Sequence, residues 1–293
     1  MKIKDSKGVI AFRIFNAIAL TALVIVCFYP MYHVIMASFT EGNALLAHRG
    51  LLLAPIDPNV DAYIKIFENP ILLKSYGNTI YICVVGIIIN ILLTSLGAYV
   101  LTRKEFKLRR PIMMMILFTM YFGGGLIPTY MLIKNLHLLN TLWSVILPGA
   151  IGTYNMIVLR TAYASLPESL AESAKVEGAG HFQILFQIVM PLSKATLAVI
   201  VLYYLVGHWN SWFSASLYLD DRNKYPLQLL LREILIENDN GEMGQEMLDE
   251  DKQAISEVLK YAVITVSTLP VLCLYPFLQK YFTKGVMIGA VKG

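Results

Sequence analysis

Long apolar stretches dominate the chain. Six run roughly over 12–37, 79–101, 112–134, 140–160, 194–217 and 258–281. Each is close to the length of about 20 residues that a helix needs to cross a bilayer. The stretch IYICVVGIIINILLTSLGAYVL over 80–101 is apolar almost throughout. A membrane-barrel strand would instead alternate over about 10 residues. Hydrocarbon admits only helices and closed barrels. The pattern therefore predicts an all-α membrane protein, with six transmembrane helices in one domain over 1–293. The first block reads as a retained span rather than a cleaved leader: it is too long for a leader core, and no small-residue cleavage site follows it. Pro30 and His33 near its end predict a bent helix.

Breaks in the pattern mark the connections. Three are too long for simple turns: 38–78, 161–193 and 218–257. Turn signals at Pro55, Asp57-Pro58 and Asn69-Pro70 frame a short helix near 59–68. Leu227, Leu230, Leu231, Ile234 and Leu235 fall at helical spacing and predict an amphipathic helix. The polar run over 237–253 reads as a mobile loop. The third block is itself interrupted by Gly123-Gly124-Gly125, followed by Pro128. Two readings stay open there: a kinked helix lining a cavity, or close helix packing through small residues.

Composition agrees with the pattern. The chain is 57% hydrophobic and only 15% charged, with a mean hydropathy of +0.60. Ordinary soluble domains are about 45–50% apolar and about 25% charged. The net charge of +4 says less than its placement. Lys2, Lys4, Lys7 and Arg13 open the chain, Arg103, Lys104, Lys107, Arg109 and Arg110 crowd the 102–111 loop, and Lys280, Lys284 and Lys292 lie in the tail. Short positive loops stay cytoplasmic, so both termini and 102–111 are expected inside. The 218–257 segment carries eleven acidic residues against Arg222, Lys224, Arg232 and Lys252. The same topology puts it outside. A basic cluster beside a span is a topology and lipid-headgroup feature rather than a nucleic-acid site.

Candidate chemistry is sparse. Cys27, Cys83 and Cys273 lie in apolar blocks with no redox or metal spacing. The histidines at 33, 48, 137, 181 and 208 show no paired metal spacing. No G-x-x-x-x-G-K-[ST] loop is present, so the chain is not expected to be an enzyme or to hydrolyse ATP itself. In GHWNSWF over 207–213, Trp209, Asn210 and Trp212 could line a substrate path. An amide is costly in lipid and should face the interior. The tryptophans could equally form an interfacial belt or helix packing. Tyr154, Asn155 and Asn90 are further polar candidates for a cavity wall.

The 161–193 segment is the most informative. Pro167 suits a first helical turn, with Ser165 as its cap. Glu168 and Glu172 lie toward the positive end of that helix. Gly178 and Gly180 break it. A second helical stretch through Phe182, Leu185, Phe186 and Ile188 runs to Pro191. The expected form is a helix–turn–helix on the cytoplasmic face, where something docks.

Glu172-Ser173-Ala174, Gly178, Ile188 and Pro191 match the spacing of the EAA loop (EAA, three residues, G, nine residues, I-x-L-P), with Ser173 and Met190 departing from it. Through that loop the chain resembles permease subunits of binding-protein-dependent ABC importers. GGGLIPTYMLIKNLHLLNTLWSVILPGAI over 123–151 and YFTKGVMIGAVKG over 281–293 resemble the carbohydrate-uptake branch, particularly its complex-oligosaccharide subgroup, down to the second permease of alginate importers.

The resemblance implies a type I importer (MetI-like) permease fold in a bacterial cytoplasmic (inner) membrane. It implies a second permease as partner, in a heterodimer, with two ATPase subunits and an extracytoplasmic sugar-binding protein. ATP and magnesium would be held by the ATPases, with no cofactor on this chain. The loop would be a coupling helix seated in an ATPase cleft. Glu172 would pair with an ATPase cation, Ala171 and Ala174 would allow close approach, Gly178 would make the turn, and Phe182 would follow on the second helix. The acid-rich 218–257 segment would repel a polyanion such as alginate unless the binding protein shields it. An ion-coupled secondary transporter or a passive pore is the alternative. The first needs ionisable residues at midplane, where His33 and His208 are the nearest candidates. The second needs no coupling loop.

Overall fold

The computed structural model describes residues 6–244 and 254–273, all of its regular structure helical. The tail over 281–293 and most of the polar run over 237–253 lie outside the described residues. Contacts divide the chain into two units. One joins residues 1–69 to 234–268, and the other holds Pro70–Glu233 with the described residues from Leu269.

In the first unit, α1 (Lys7–Ser38) runs through Pro30 without ending there. At 1.5 Å per residue, its 32 residues reach about 48 Å, beyond a hydrocarbon core of about 30 Å. It is apolar all round, and only Ala37 and Ser38 are buried. An all-round apolar helix left uncovered suits lipid as its solvent. Its end is tied down by polar contacts: Ser38 Oγ lies 2.7 Å from Tyr63 Oη, and the Thr40 hydroxyl donates to Met36 O at 2.8 Å. Two short helices follow, α2 (Gly42–Ala47) and α3 (Asp61–Glu68). α3 is the helix expected near 59–68.

The second unit is built on α4 (Pro70–Thr102). Pro70 fits a first helical position because it needs no N–H partner there, so the helix starts nine residues before the apolar block at 79. α4 buries one stripe, including Ile82, Gly86, Asn90, Thr94 and Ala98. This stripe, stepping four residues at a time, meets other helices of the unit.

The third block is two helices, α5 (Arg109–Tyr121) and α6 (Leu126–Asn135), bent by 112°. At about 20 Å and about 15 Å neither crosses hydrocarbon alone. Gly125 sits at φ +89°, where a side chain would be strained, and a Cβ at Gly123 would meet nothing within 4 Å. The glycines thus serve the bend, and among the described residues only Pro128, on the next turn, comes within 4 Å of a Cβ built on any of the three.

α7 (Trp143–Ile146) tightens into a 3-10 turn through Gly149 and meets α8 (Thr153–Ala164) at 48°. α9 (Glu168–Val176) comes next. Then α10 (His181–Gln183) passes through a π-helical stretch, Ile184–Val189, into α11 (Met190–Leu192). A turn of 88° leads into α12 (Lys194–Trp209). The fifth block is also interrupted, at Asn210, before α13 (Trp212–Tyr218). The amphipathic segment forms α14 (Leu227–Gly244), so residues 237–244 of the expected mobile loop are helical. α15 (Ala254–Cys273) is the last described helix.

Candidate functional site

The loop after α4, the end of α8 and the chain from α9 to α11 pack together at one end of the second unit. Pro167, at φ −57°, takes the N-cap position of α9. Ser165 does not cap α9 as expected: it closes α8, its hydroxyl donating to Ala162 O at 2.8 Å. Pro167 puts the helix start two residues beyond its reach.

α9 is anchored on one face and open on the other. Ala171 and Ala174 are buried in a core with Leu159, Tyr163, Ile184 and Leu185. Their small side chains bring α9 close to its own chain, so the approach they permit is internal. Two ion pairs of opposite polarity hold the helix to the preceding loop. Lys104 Nζ donates to Glu168 at 2.5 Å, and Lys175 Nζ donates to Glu105 at 2.5 Å. Both follow the helix dipole, with acid in the first turn and base in the last. The hydrogen bond from Lys175 draws the Glu105 carboxyl below the usual carboxylate range.

The turn after α9 is a Schellman motif. Ala179 N–H donates to Ala174 O at 2.9 Å and Gly178 N–H donates to Lys175 O at 3.0 Å. The residue between the cap and the closing amide must be left-handed, and Gly178 has φ +88°. Gly180, at φ −75°, then starts α10, with its N–H on Gln183 Oε1 at 3.0 Å. His181 Nδ1 lies 3.1 Å from Tyr99 Oη on α4. The π-helical stretch that follows lies just before Pro191, which cannot donate to the ladder. Such bulges recur at functional sites.

Glu172 and Val176, the latter at 89% exposure, are uncovered on α9, and Phe182 on α10 is 69% exposed. Among the described residues Glu172 has no ion-pair or hydrogen-bond partner. Glu172 shares a shallow pocket of about 220 Å³ with Arg103, Lys104, Glu105, Glu168 and Lys175.

The expected substrate-path residues do not converge. Asn210 is exposed, and its Nδ2 donates to Val206 O at 2.9 Å, closing the end of α12. Trp209 beside it is buried, and its Nε1 has no hydrogen-bond partner among the described residues. Trp212 is half-buried with the Arg232 guanidinium 3.9 Å from its ring centre. Tyr154 is exposed and lies 6.3 Å from the Tyr203 ring, while Asn155 is buried. Asn90 is fully buried rather than lining a wall.

Asn90 belongs to a polar ladder that sequence reasoning missed. Its Nδ2 donates to Gly149 O at 2.8 Å and Ala150 O at 2.9 Å, and its Oδ1 lies 2.6 Å from His208 Nε2. One turn along, Thr94 Oγ1 lies 2.7 Å from Tyr204 Oη, which accepts from Gly152 N–H at 2.8 Å. Two i, i+4 polar pairs on α4 and α12 thus satisfy the backbone freed by the break between α7 and α8. Free backbone groups in lipid need such partners. The signal was available as polar residues four apart in two apolar blocks.

Comparison with known proteins places this architecture. The sequence profile of the family described as "Binding-protein-dependent transport system inner membrane component" matches residues 86–288. The polygalacturonan/rhamnogalacturonan transport system permease protein YtcP of Bacillus subtilis (strain 168) is 40% identical over 269 residues, 92% of this chain and 94% of that protein. Protein LplC of the same organism is 38% identical over 293 residues, covering 99% and 97%. A crystal structure of a bacterial ABC transporter involved in the import of the acidic polysaccharide alginate contains a chain that superposes with a TM-score of 0.87. That chain is 30% identical, over 96% of this chain and 100% of its own length. With a match over more than two thirds of its length, and with the helix–turn–helix and broken spans described above, this chain belongs to the family of binding-protein-dependent transport system inner membrane components.

Proposed function

We propose that this chain is one permease half of an ATP-driven ABC importer for oligo- or polysaccharides. A second permease completes the translocation path, in a heterodimer. Two ATPase subunits supply ATP hydrolysis, and an extracytoplasmic sugar-binding protein delivers the cargo. The assembly sits in a bacterial inner membrane with both termini of this chain cytoplasmic, as its basic loops favour. The substrate class rests on the relatives, which transport polygalacturonan/rhamnogalacturonan and alginate by their names.

The observation that carries the reading is α9: a helix fixed from below by two alanines and two ion pairs, holding an unpaired Glu172 outward. A lever that transmits motion must be stiff at its root and free at its contact face. In this reading Glu172, Val176 and Phe182 meet the ATPase, Glu172 on one of its cations. Gly178 sets the angle between the lever and the helix that follows. Asn210, Trp209, Trp212, Tyr154 and Asn155 are left as path candidates that the assembled complex would have to bring together.

The test is co-purification of the full chain with candidate ATPase subunits of ABC importers. The wild type is expected to retain the ATPase, and Gly178→Asp, which cannot hold φ +88° without strain, is expected to lose it. Retention of the ATPase by Gly178→Asp and by Glu172→Ala alike would remove α9 as the docking element.

A further inference from the structure

A cavity of about 650 Å³ opens where the end of α4, the start of α5, the end of α8 and the first turn of α9 meet. Its walls hold five cations: Arg103, Lys104, Arg109, Arg110 and Arg160. They hold one carboxylate, Glu168, and Lys104 already occupies it. Arg160 and Arg109 are half-buried. Arg160 uses its Nε on Leu101 O at 3.2 Å, and among the described residues its outer guanidinium nitrogens have no partner. Arg109 and Arg110 have no acidic partner among the described residues. The remaining wall is apolar, with Met113, Met114, Leu166, Leu170 and Ile188.

Gathering positive charge without counter-charge costs self-repulsion, which a bound anion relieves. Guanidinium groups take phosphate oxygens two at a time. The apolar wall decides among anions. A free phosphate or nucleotide would use the cations and leave the methionine side without a partner. A phospholipid has both parts: a phosphodiester for the arginines, and glycerol and acyl carbons for Met113 and Met114. The position fits too, because α4 and α5 are apolar helices and this is where their polar ends begin.

We propose that this cavity binds the headgroup of an anionic membrane phospholipid beneath α9. The inference rests on the importer reading only in taking this end of the chain as the cytoplasmic boundary, where anionic lipid attracts basic clusters. The lipid would fill the space between α9 and the helices it must move with. The root of the coupling helix would then be part protein and part bilayer.

The experiment is native mass spectrometry of the full chain in its assembled complex, offered equal amounts of phosphatidylglycerol and phosphatidylcholine with matched acyl chains. Phosphatidylglycerol is expected to be retained preferentially, with the preference falling about fivefold for each arginine neutralised. The variants are Arg109→Gln/Arg110→Gln and Arg160→Gln. Arg109→Lys/Arg110→Lys keeps the charge and is expected to keep the lipid, which separates lost binding from lost folding. Millimolar inorganic phosphate is expected to leave the lipid in place. Equal retention of the neutral lipid, unchanged preference in the glutamine variants, or displacement by inorganic phosphate would each overturn the proposal. The readout needs no transport, so a failed uptake assay with retained lipid rejects the importer reading alone. Normal uptake without lipid preference rejects this inference alone.

Discussion

His208 Nε2 lies 2.6 Å from Asn90 Oδ1 in the interior of the second unit. The Asn90 amide nitrogen already donates to Gly149 O and Ala150 O, so its oxygen must face the imidazole, and Nε2 is the donor. The imidazole is close against α4 as well, since a Cβ on Gly86 would come 2.5 Å from Nε2. One buried pair thus ties α4, α12 and the broken segment after α7 together.

Asn90→Leu removes all three contacts at once. Hydrogen bonds inside membrane proteins average about 0.6 kcal/mol, so the loss is expected to be about 2 kcal/mol. The check is thermal unfolding of the purified chain in detergent, with Asn210→Leu, which loses a single bond to its own helix, as the comparison. An Asn90→Leu midpoint no lower than that of Asn210→Leu would place the strength of the junction elsewhere. Gly86→Ala is expected to lower the midpoint too, because the ring must move to admit the methyl group.

Gly178 and Gly180 make a matched pair. Gly178 sits at φ +88° and Gly180 at φ −75°. Alanine in the left-handed region costs about 1–2 kcal/mol. At Gly180 it meets open space and an ordinary backbone angle. Gly178→Ala is expected to speed amide hydrogen exchange in α9 about tenfold, and Gly180→Ala to leave it unchanged or slower. Equal effects of the two substitutions would contradict the Schellman assignment.

The Lys175–Glu105 pair under α9 gives a pH signature. Glu105 is held below its ordinary value chiefly by the hydrogen bond from Lys175. A carboxyl lowered in the folded state contributes at neutral pH, and the contribution is lost as pH falls through the carboxylate range. Both partners are exposed, so the effect is on local anchoring and is salt-sensitive. Spin labels at Lys107 and Ser173 are expected to give a narrow distance distribution at pH 7 that broadens in acid. Glu105→Gln is expected to be broad at both. A distribution in Glu105→Gln as narrow as wild type at pH 7 would mean that Lys175 is not the tether.

Much of this was legible from local pattern. Gly123-Gly124-Gly125 signalled the break, and Asp57-Pro58 and Asn69-Pro70 framed α3, because glycine and proline act on the backbone where they stand. The spacing from Glu172 to Pro191 marked the helix–turn–helix for the same reason. Long-range partners were not legible. Asn90 and His208 are 118 residues apart, and polarity in an apolar block says that a partner exists without naming it. Facing was not legible either: Ala171 and Ala174 suit a close approach to any surface, and only the packed core with Tyr163 and Ile184 fixes it as internal.

If this permease is driven through α9, uptake of labelled oligosaccharide into proteoliposomes depends on that helix and on ATP. The vesicles would carry this chain with its second permease, with or without the ATPase subunits, ATP and the binding protein. Uptake is expected only when all are present, and is expected to fall strongly with Glu172→Ala. Uptake that persists without the ATPase subunits and ATP would contradict it.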